Sequence, residues 1–251
     1  MSDSRAVLVT GGSRGIGRAI AHAFAAAGDR VAVHWGASRE RAEAVLTQLP
    51  GDGHVLVQAD LADADAVGRM VDEAAAALGR LDVLVNNAGV FTAHPPLSVS
   101  YEEWQAAWSR TLAVNLLGAA NATFRAVPHL VAAGGGAVVN VSSRGAFRGE
   151  PDTPAYGASK AGLNAFGQSM ALVLAPHGIT VGTVAPGFVQ TEMAREVLDG
   201  PGGDAVRAQS PYGRVARPEE VASAVLWLAS PGARFSTGTI IDVNGASYLR
   251  S

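Results

Sequence analysis

Residues 6–24 read AVLVTGGSRGIGRAIAHAF, and strand, turn and helix physics follow one another within them. AVLVT is a short apolar run rich in β-branched residues, the pattern of a strand. It passes directly into Thr10-Gly11-Gly12-Ser13-Arg14-Gly15-Ile16-Gly17, after which Ile16, Ile20 and Phe24 recur on one helical stripe. A strand entering a helix through glycines predicts a cradle for a pyrophosphate. Glycine lets the backbone approach an anion closely, and the helix N-terminus offers unpaired N–H groups and the positive end of its dipole. The glycines are spaced G-x-x-x-G-x-G rather than G-x-G-x-x-G, so the strand before and the helix after carry the reading more than the spacing does. The expectation is a dinucleotide site.

The same alternation continues along the chain. VAVHW (31–35) precedes a helical pattern from Arg41 to Leu49, and HVLVQAD (54–60) precedes one with Val67, Met70, Val71, Ala74 and Leu78 inward. DVLVNNAG (82–89) leads to a longer helix from about Glu102 to Leu130. AVVNVSS (137–143) leads to a helix with Leu163, Phe166, Met170 and Leu174 inward. ITVGTVAP (179–186), a helix from Pro218 to Leu228 and GTIIDVNG (238–245) complete the series. Fully apolar strands alternating with amphipathic helices predict a parallel sheet covered on both faces, a doubly wound α/β fold of about seven strands. No Pro/Gly/Ser linker interrupts it, so residues 1–251 read as one domain. The irregular stretch from about 188 to 217, with GPGG at 200–203, follows the sixth strand. Ligands bind beyond strand carboxyl ends in such sheets, which makes this stretch a candidate flexible substrate lid.

Composition excludes several function classes. Hydrophobic residues make up 48% and charged residues 16% of 251, with 30 glycines and 12 prolines, a globular balance with many tight turns. A net charge of −3 with no run of Lys or Arg lacks the footprint of a nucleic-acid or membrane-surface binder. With no cysteine there is no disulfide, thiolate nucleophile or thiolate metal site. The six histidines are scattered, and no metal site is expected. Neither a secretory leader nor an apolar run of about 18 residues is present, so the chain reads as cytoplasmic.

Candidate chemistry lies in PAYGASKAGLNAF (154–166), where Tyr156 and Lys160 stand four apart and share a helix face. A phenol of pKa roughly 10 becomes a useful acid or base when an ammonium nearby favours its phenolate. Thirteen residues upstream of Tyr156, Ser143 ends a strand and can hold a carbonyl oxygen. Together these residues describe a site that moves a proton at an oxygen.

Thr10–Gly17, Asn86-Asn87-Ala88-Gly89, Asn115, Ser143, Tyr156-x-x-x-Lys160 and Pro186-Gly187 all occur in order, and with them the chain resembles the short-chain dehydrogenase/reductase family over nearly its full length. The resemblance implies a Rossmann fold and a carbonyl/alcohol oxidoreductase. Tyr156 would be general acid in reduction and general base in oxidation, Lys160 would lower its pKa and hold the nicotinamide ribose, and Ser143 would hydrogen-bond the substrate oxygen. Asn115 would bend its helix and bind a water linking Lys160 to solvent. Gly11, Ser13, Gly15, Ile16 and Gly17 would line the pyrophosphate, Asp60 and Leu61 would flank the adenine, and Asn87, Ala88 and Gly89 would border its ribose. Pro186, Gly187, Val189 and Thr191 would hold the nicotinamide side.

An acid at the end of the second strand would select NAD, but Trp35 stands there, followed by Gly36-Ala37-Ser38-Arg39. With Arg14, Ser38 or Arg39 to bind a 2′-phosphate, NADP(H) is favoured over NAD(H). The resemblance also implies a homotetramer. The 3-oxoacyl carrier-protein reductases are the nearest group by motif wording, yet segments 127–136 and 169–178, where that group docks its acidic carrier, contain no Lys or Arg. The substrate is therefore expected to be a compact or hydrophobic carbonyl compound. An NAD-linked alcohol, sugar or steroid dehydrogenase and a carrier-protein reductase are the alternatives, and a non-catalytic dinucleotide-binding regulator is a remote one. Phe91, His94, Arg144, Phe147, Phe188, Met193 and Tyr212 adjoin the catalytic strand ends and are the candidate pocket residues.

Overall fold

A computed structural model describes residues 4–250. Strands β1 (Ala6–Val9), β2 (Arg30–Trp35), β3 (Val55–Gln58), β4 (Val83–Asn86), β5 (Gly136–Val141), β6 (Ile179–Pro186) and β7 (Ile240–Val243) form one sheet in the order β3-β2-β1-β4-β5-β6-β7. Every pairing is parallel, with Val9 opposite both Val33 and Val85, and Asn86 opposite Asn140. The strand order reverses between β1 and β4, the switch point beyond which ligands bind in doubly wound sheets.

Helices α1 (Gly15–Ala26), α2 (Arg39–Leu46) and α9 (Pro218–Leu228) cover one face; Ile20, Phe24, Val221 and Val225 pack there on Val7, Val33, Val85 and Val139. On the other face α3 (Ala64–Leu78), α5 (Gly118–Ala132) and α6 (Pro154–Leu174) close over Leu8, Leu84 and Val138, and α4 (Tyr101–Leu112) packs against α6. Local signals fix the helix ends. Asp63 caps α3 by accepting from the N–H groups of Asp65 and Ala66 at 3.0 Å, and Gly79 ends it at φ +76°. Ser100 and Glu103 form a capping box on α4.

The structure departs from the expected elements in two places. The helix expected over 102–130 is two helices, α4 and α5, joined by a π turn over Ala113–Leu117 that contains Asn115. The stretch expected to be irregular holds α7 (Glu192–Asp199) and α8 (Gly203–Arg207). They are short, eight and five residues. Gly200, Pro201 and Gly202 separate them, and a Cβ on Gly203 would fall 2.0 Å from the Leu198 carbonyl oxygen.

Candidate active site

Strands β1, β4 and β5 are tied together beneath the glycine turn. Thr10 Oγ1 donates to the Val85 carbonyl (3.1 Å) and accepts from the N–H groups of Asn87 (2.9 Å) and Ala88 (3.1 Å). Asn87 Nδ2 donates to the carbonyls of Thr10 (2.8 Å) and Gly11 (3.2 Å). The Asn87 side chain, expected at the adenine ribose, is thus committed to bracing the turn, while Asn86 donates to Thr123 Oγ1 and Asn140 Oδ1. Gly11 and Gly15 take φ values of +64° and +52°, where a side chain is strained, and a Cβ on Gly17 would lie 2.1 Å from the Gly11 carbonyl oxygen.

His34, passed over in the sequence as one scattered histidine, completes this brace. Its Nδ1 accepts from Gly11 N–H (2.9 Å), and its Nε2 lies 3.1 Å from the Ala59 carbonyl. Burial lowers its pKa to about 4, opposed by the Ala59 contact, so at neutral pH the ring is uncharged with Nε2–H donating. No periodicity distinguishes such a residue, since it belongs to the strand pattern.

The turn suits a pyrophosphate. Arg14, at the N-cap of α1, makes no side-chain cap, and no carboxylate occupies the first turn, so those N–H groups and the dipole end face outward unneutralised. Beyond them stands Thr191, whose Cγ2 would be 3.3 Å from a Cβ on Gly15. At the end of β4 a Cβ on Gly89 would reach 3.4 Å from Asn115 Oδ1 and 3.5 Å from Lys160 Nζ. The bare backbone there leaves room beside the polar groups of the catalytic set.

Lys160 is 3% exposed, donates to the Val141 carbonyl (2.8 Å) and has its Nζ 5.8 Å from the centroid of the Tyr156 ring. Burial lowers its pKa to about 8. It is also the only lysine in the chain, against eighteen arginines, a compositional signal that alone would have singled it out. Tyr156 corrects one expectation: desolvation raises its pKa, with Glu150 adding to the rise and the Ser143 hydroxyl opposing it. Lys160, itself buried and held by Val141, does not reverse that rise. Phe91 meets the Tyr156 ring edge-on at 4.9 Å, and Ser143 Oγ accepts from Gly145 N–H at 3.0 Å.

Asn115 sits in the π turn that joins α4 and α5. Its Oδ1 accepts from Val90 N–H (2.8 Å), and its Nδ2 donates to the Val90 carbonyl (3.0 Å) and Ser159 Oγ (3.1 Å). The side chain therefore clamps the loop after β4 to the Tyr/Lys helix.

The charged residues expected at a 2′-phosphate are partly engaged. Ser38 Oγ caps α2 by accepting from Arg41 N–H (3.4 Å), and Arg39 lies along α2 in an ion pair with Glu43 at 2.8 Å. Arg14, 56% exposed, stands 4.0 Å from Glu192, which Arg41 also pairs at 2.8 Å. Asp60 is exposed and pairs with Arg110 through both oxygens at 2.9 Å; the Arg110 hydrogen bond holds its carboxyl below the usual range. Leu61 is buried at the same strand end. Arg41, Arg110 and Glu192 were not legible from spacing because their partners are distant in sequence.

Two candidate pocket residues prove internal. His94 is buried: Nδ1 lies 2.7 Å from the Thr92 carbonyl, and Nε2 accepts from Ala155 N–H (3.2 Å), which seats the start of α6 just before Tyr156. Arg144 is 5% exposed rather than solvated. It donates to Gln209 Oε1 (2.8 Å) and Ser247 Oγ (2.7 Å) over the Phe188 ring. Phe147 lies under Arg250 and accepts at its carbonyl from the Tyr248 hydroxyl, whereas Met193 and Tyr212 are exposed.

A family model described as enoyl-(acyl carrier protein) reductase matches residues 11–246. The chain belongs to the short-chain dehydrogenase/reductase family. A 3-oxoacyl-[acyl-carrier-protein] reductase of Staphylococcus aureus is 38% identical, with 99% of this chain and 100% of that one covered. A cis-4-hydroxycyclohexanecarboxylate dehydrogenase of Sinomonas cyclohexanicum is 40% identical, with 96% and 95% covered. A crystal structure of a short-chain dehydrogenase from Burkholderia cenocepacia in complex with NADP superposes with a TM-score of 0.88 at 38% identity, covering 97% of each chain. As a member of the short-chain dehydrogenase/reductase family the chain is an oxidoreductase acting between carbonyl and alcohol. No helix among the described residues is long and apolar enough to cross a membrane.

Proposed function

We propose that this short-chain dehydrogenase/reductase reduces a compact or hydrophobic carbonyl compound with NADPH, Tyr156 giving the proton. The observation that carries the reading is the geometry of the pair, with the buried Lys160 Nζ 5.8 Å from the Tyr156 ring and Ser143 in hydrogen-bond reach of the phenol, whose raised pKa suits a group that gives a proton. When bound, the reduced nicotinamide cofactor supplies a hydride to the carbonyl carbon. Tyr156 donates its proton to the carbonyl oxygen as that oxygen gains negative charge, and Ser143 orients the oxygen with its hydroxyl. Lys160, with a pKa of about 8, is charged at neutral pH and stabilises the phenolate left behind. Asn115 and His94 hold the loop and helix that carry these groups.

Further readings accompany this one. The absence of a carboxylate at Trp35 and the exposed Arg14 support NADP(H) over NAD(H), and the NADP-bound relative agrees. Gly11, Ser13, Gly15, Ile16 and Gly17 hold the pyrophosphate, Pro186, Gly187, Val189 and Thr191 the nicotinamide side. Residues 188–217, within a single domain, form the lid. Leu172 and Val173 on α6 and Phe124 on α5 are exposed apolar residues in one chain, which supports assembly into a homotetramer; we place the protein in the cytoplasm.

A second reading, a 3-oxoacyl carrier-protein reductase, is favoured by the S. aureus relative. Against it, 127–136 and 169–178 offer no Lys or Arg to steer an acidic carrier. One experiment tests both: NADPH and NADH oxidation with simple ketones, short 3-oxoacyl thioesters and the same acyl group on a carrier protein. Turnover of free carbonyl compounds with NADPH, unimproved by the carrier, is expected. A carrier preference that disappears at high salt would replace the first reading with the second.

A further inference from the structure

Seven of the eighteen arginines line one groove of about 730 Å³: Arg14 and Arg18 at the start of α1, Arg41 from α2, Arg195 and Arg207 from α7 and α8, and Arg214 and Arg217 before α9. Only two carboxylates, Glu192 and Asp199, line it with them, in a chain whose net charge is −3. Glu192 is shared by Arg41 (2.8 Å) and Arg14 (4.0 Å). Arg207 pairs with Asp204 (3.2 Å), and Glu220 serves Arg214 (2.6 Å) and Arg217 (3.7 Å). Arg18 and Arg195 have no carboxylate within 4.0 Å among the described residues.

Like charges gathered in a concave site focus the field and draw in anions. The planar fork of arginine matches phosphate oxygens two at a time, and Ser13, Gln48, Gln190 and Thr191 add neutral polar groups to the lining. The volume is that of a small-molecule pocket. The groove shares Ser13, Arg14, Gly15 and Thr191 with the set assigned above to the dinucleotide, but Arg18, Arg41, Gln48, Arg195 and Arg217 lie outside that set.

We propose that this groove binds a second phosphate-bearing small molecule beside the dinucleotide, and that its phosphates draw Arg41 away from Glu192. It rests on the dinucleotide reading only in calling the ligand a second one. The phosphates could belong to a free polyphosphate or to the nucleotide end of a thioester substrate, and two probes separate these sources.

Inorganic tripolyphosphate and coenzyme A are titrated separately by calorimetry into the full chain saturated with NADPH, at low ionic strength. Saturable binding that weakens as salt rises is expected, with coenzyme A the tighter probe if a thioester is the source and tripolyphosphate its equal if phosphate alone is read. The double variant R18Q/R195Q should bind either probe at least about tenfold more weakly, since each lost charge-assisted hydrogen bond is worth roughly 10- to 150-fold. Its NADPH affinity, followed by fluorescence, should stay within about twofold of wild type. E192Q, which frees Arg41, should bind the probes more tightly. Absence of binding, displacement of the probes by NADPH, or unchanged binding in the double variant would overturn the inference. NADPH binding and ketone reduction measured on the same sample show separately whether the dinucleotide reading stands.

Discussion

Tyr156 keeps its proton because burial outweighs every group that would stabilise its phenolate. Replacing Tyr156 with Phe removes that proton and little else, so reduction should fall by roughly 10² to 10⁴ while NADPH binding is retained. Single-turnover rates alongside cofactor titration check this; wild-type turnover in Tyr156→Phe would refute the assignment. Lys160 bears on the same step through its charge. As pH rises through its pKa of about 8 the ammonium that stabilises the phenolate is lost, so kcat for reduction should decline above that pH. The pH–rate profile of the wild type reads this limb, and a profile flat from pH 7 to about 9 would separate Lys160 from the proton step.

At the scale of elements, the glycine turn is held by a titratable brace. The pKa of His34 is about 4 in the folded chain, against roughly 6.5 for a solvated histidine. The unfolded chain binds the extra proton between those values, so the contribution of His34 is complete above about pH 6.5 and is lost as pH falls toward 4. The full difference is on the order of 3 kcal/mol. Thermal unfolding should therefore show Tm falling over that window, and His34→Gln, which can still accept from Gly11 N–H but cannot titrate, should flatten the fall. An unchanged slope in the variant would assign the acid sensitivity to other groups.

For the whole molecule, the exposed side chains of α5 and α6 point to assembly. Leu172 is 82% exposed and Phe124 78%, an unusual placement for large apolar residues on helices of a lone chain. Leu172→Glu would place a charge in each copy of a symmetric contact and should shift the protein to smaller species by light scattering, with its secondary structure intact by circular dichroism. Retention of the wild-type mass would show that α6 lies outside the interface.

The sequence by itself determined the sheet, the turn and the catalytic order, because these depend on local periods, on glycines and on a helical spacing of four between Tyr156 and Lys160. It missed α7 and α8, which stand in a stretch read as irregular from its GPGG, and the break at Asn115, since a one-turn π insertion leaves no period to read. Only the tertiary structure decided which polar side chains brace the site and which face solvent. His34, His94 and Arg144 are bound to partners 23 or more residues away, and Glu192 reaches Arg41 across 151 positions. It also set the direction of the Tyr156 shift: the spacing brings an ammonium near the phenol, but the depth at which the fold buries both groups makes desolvation the larger effect.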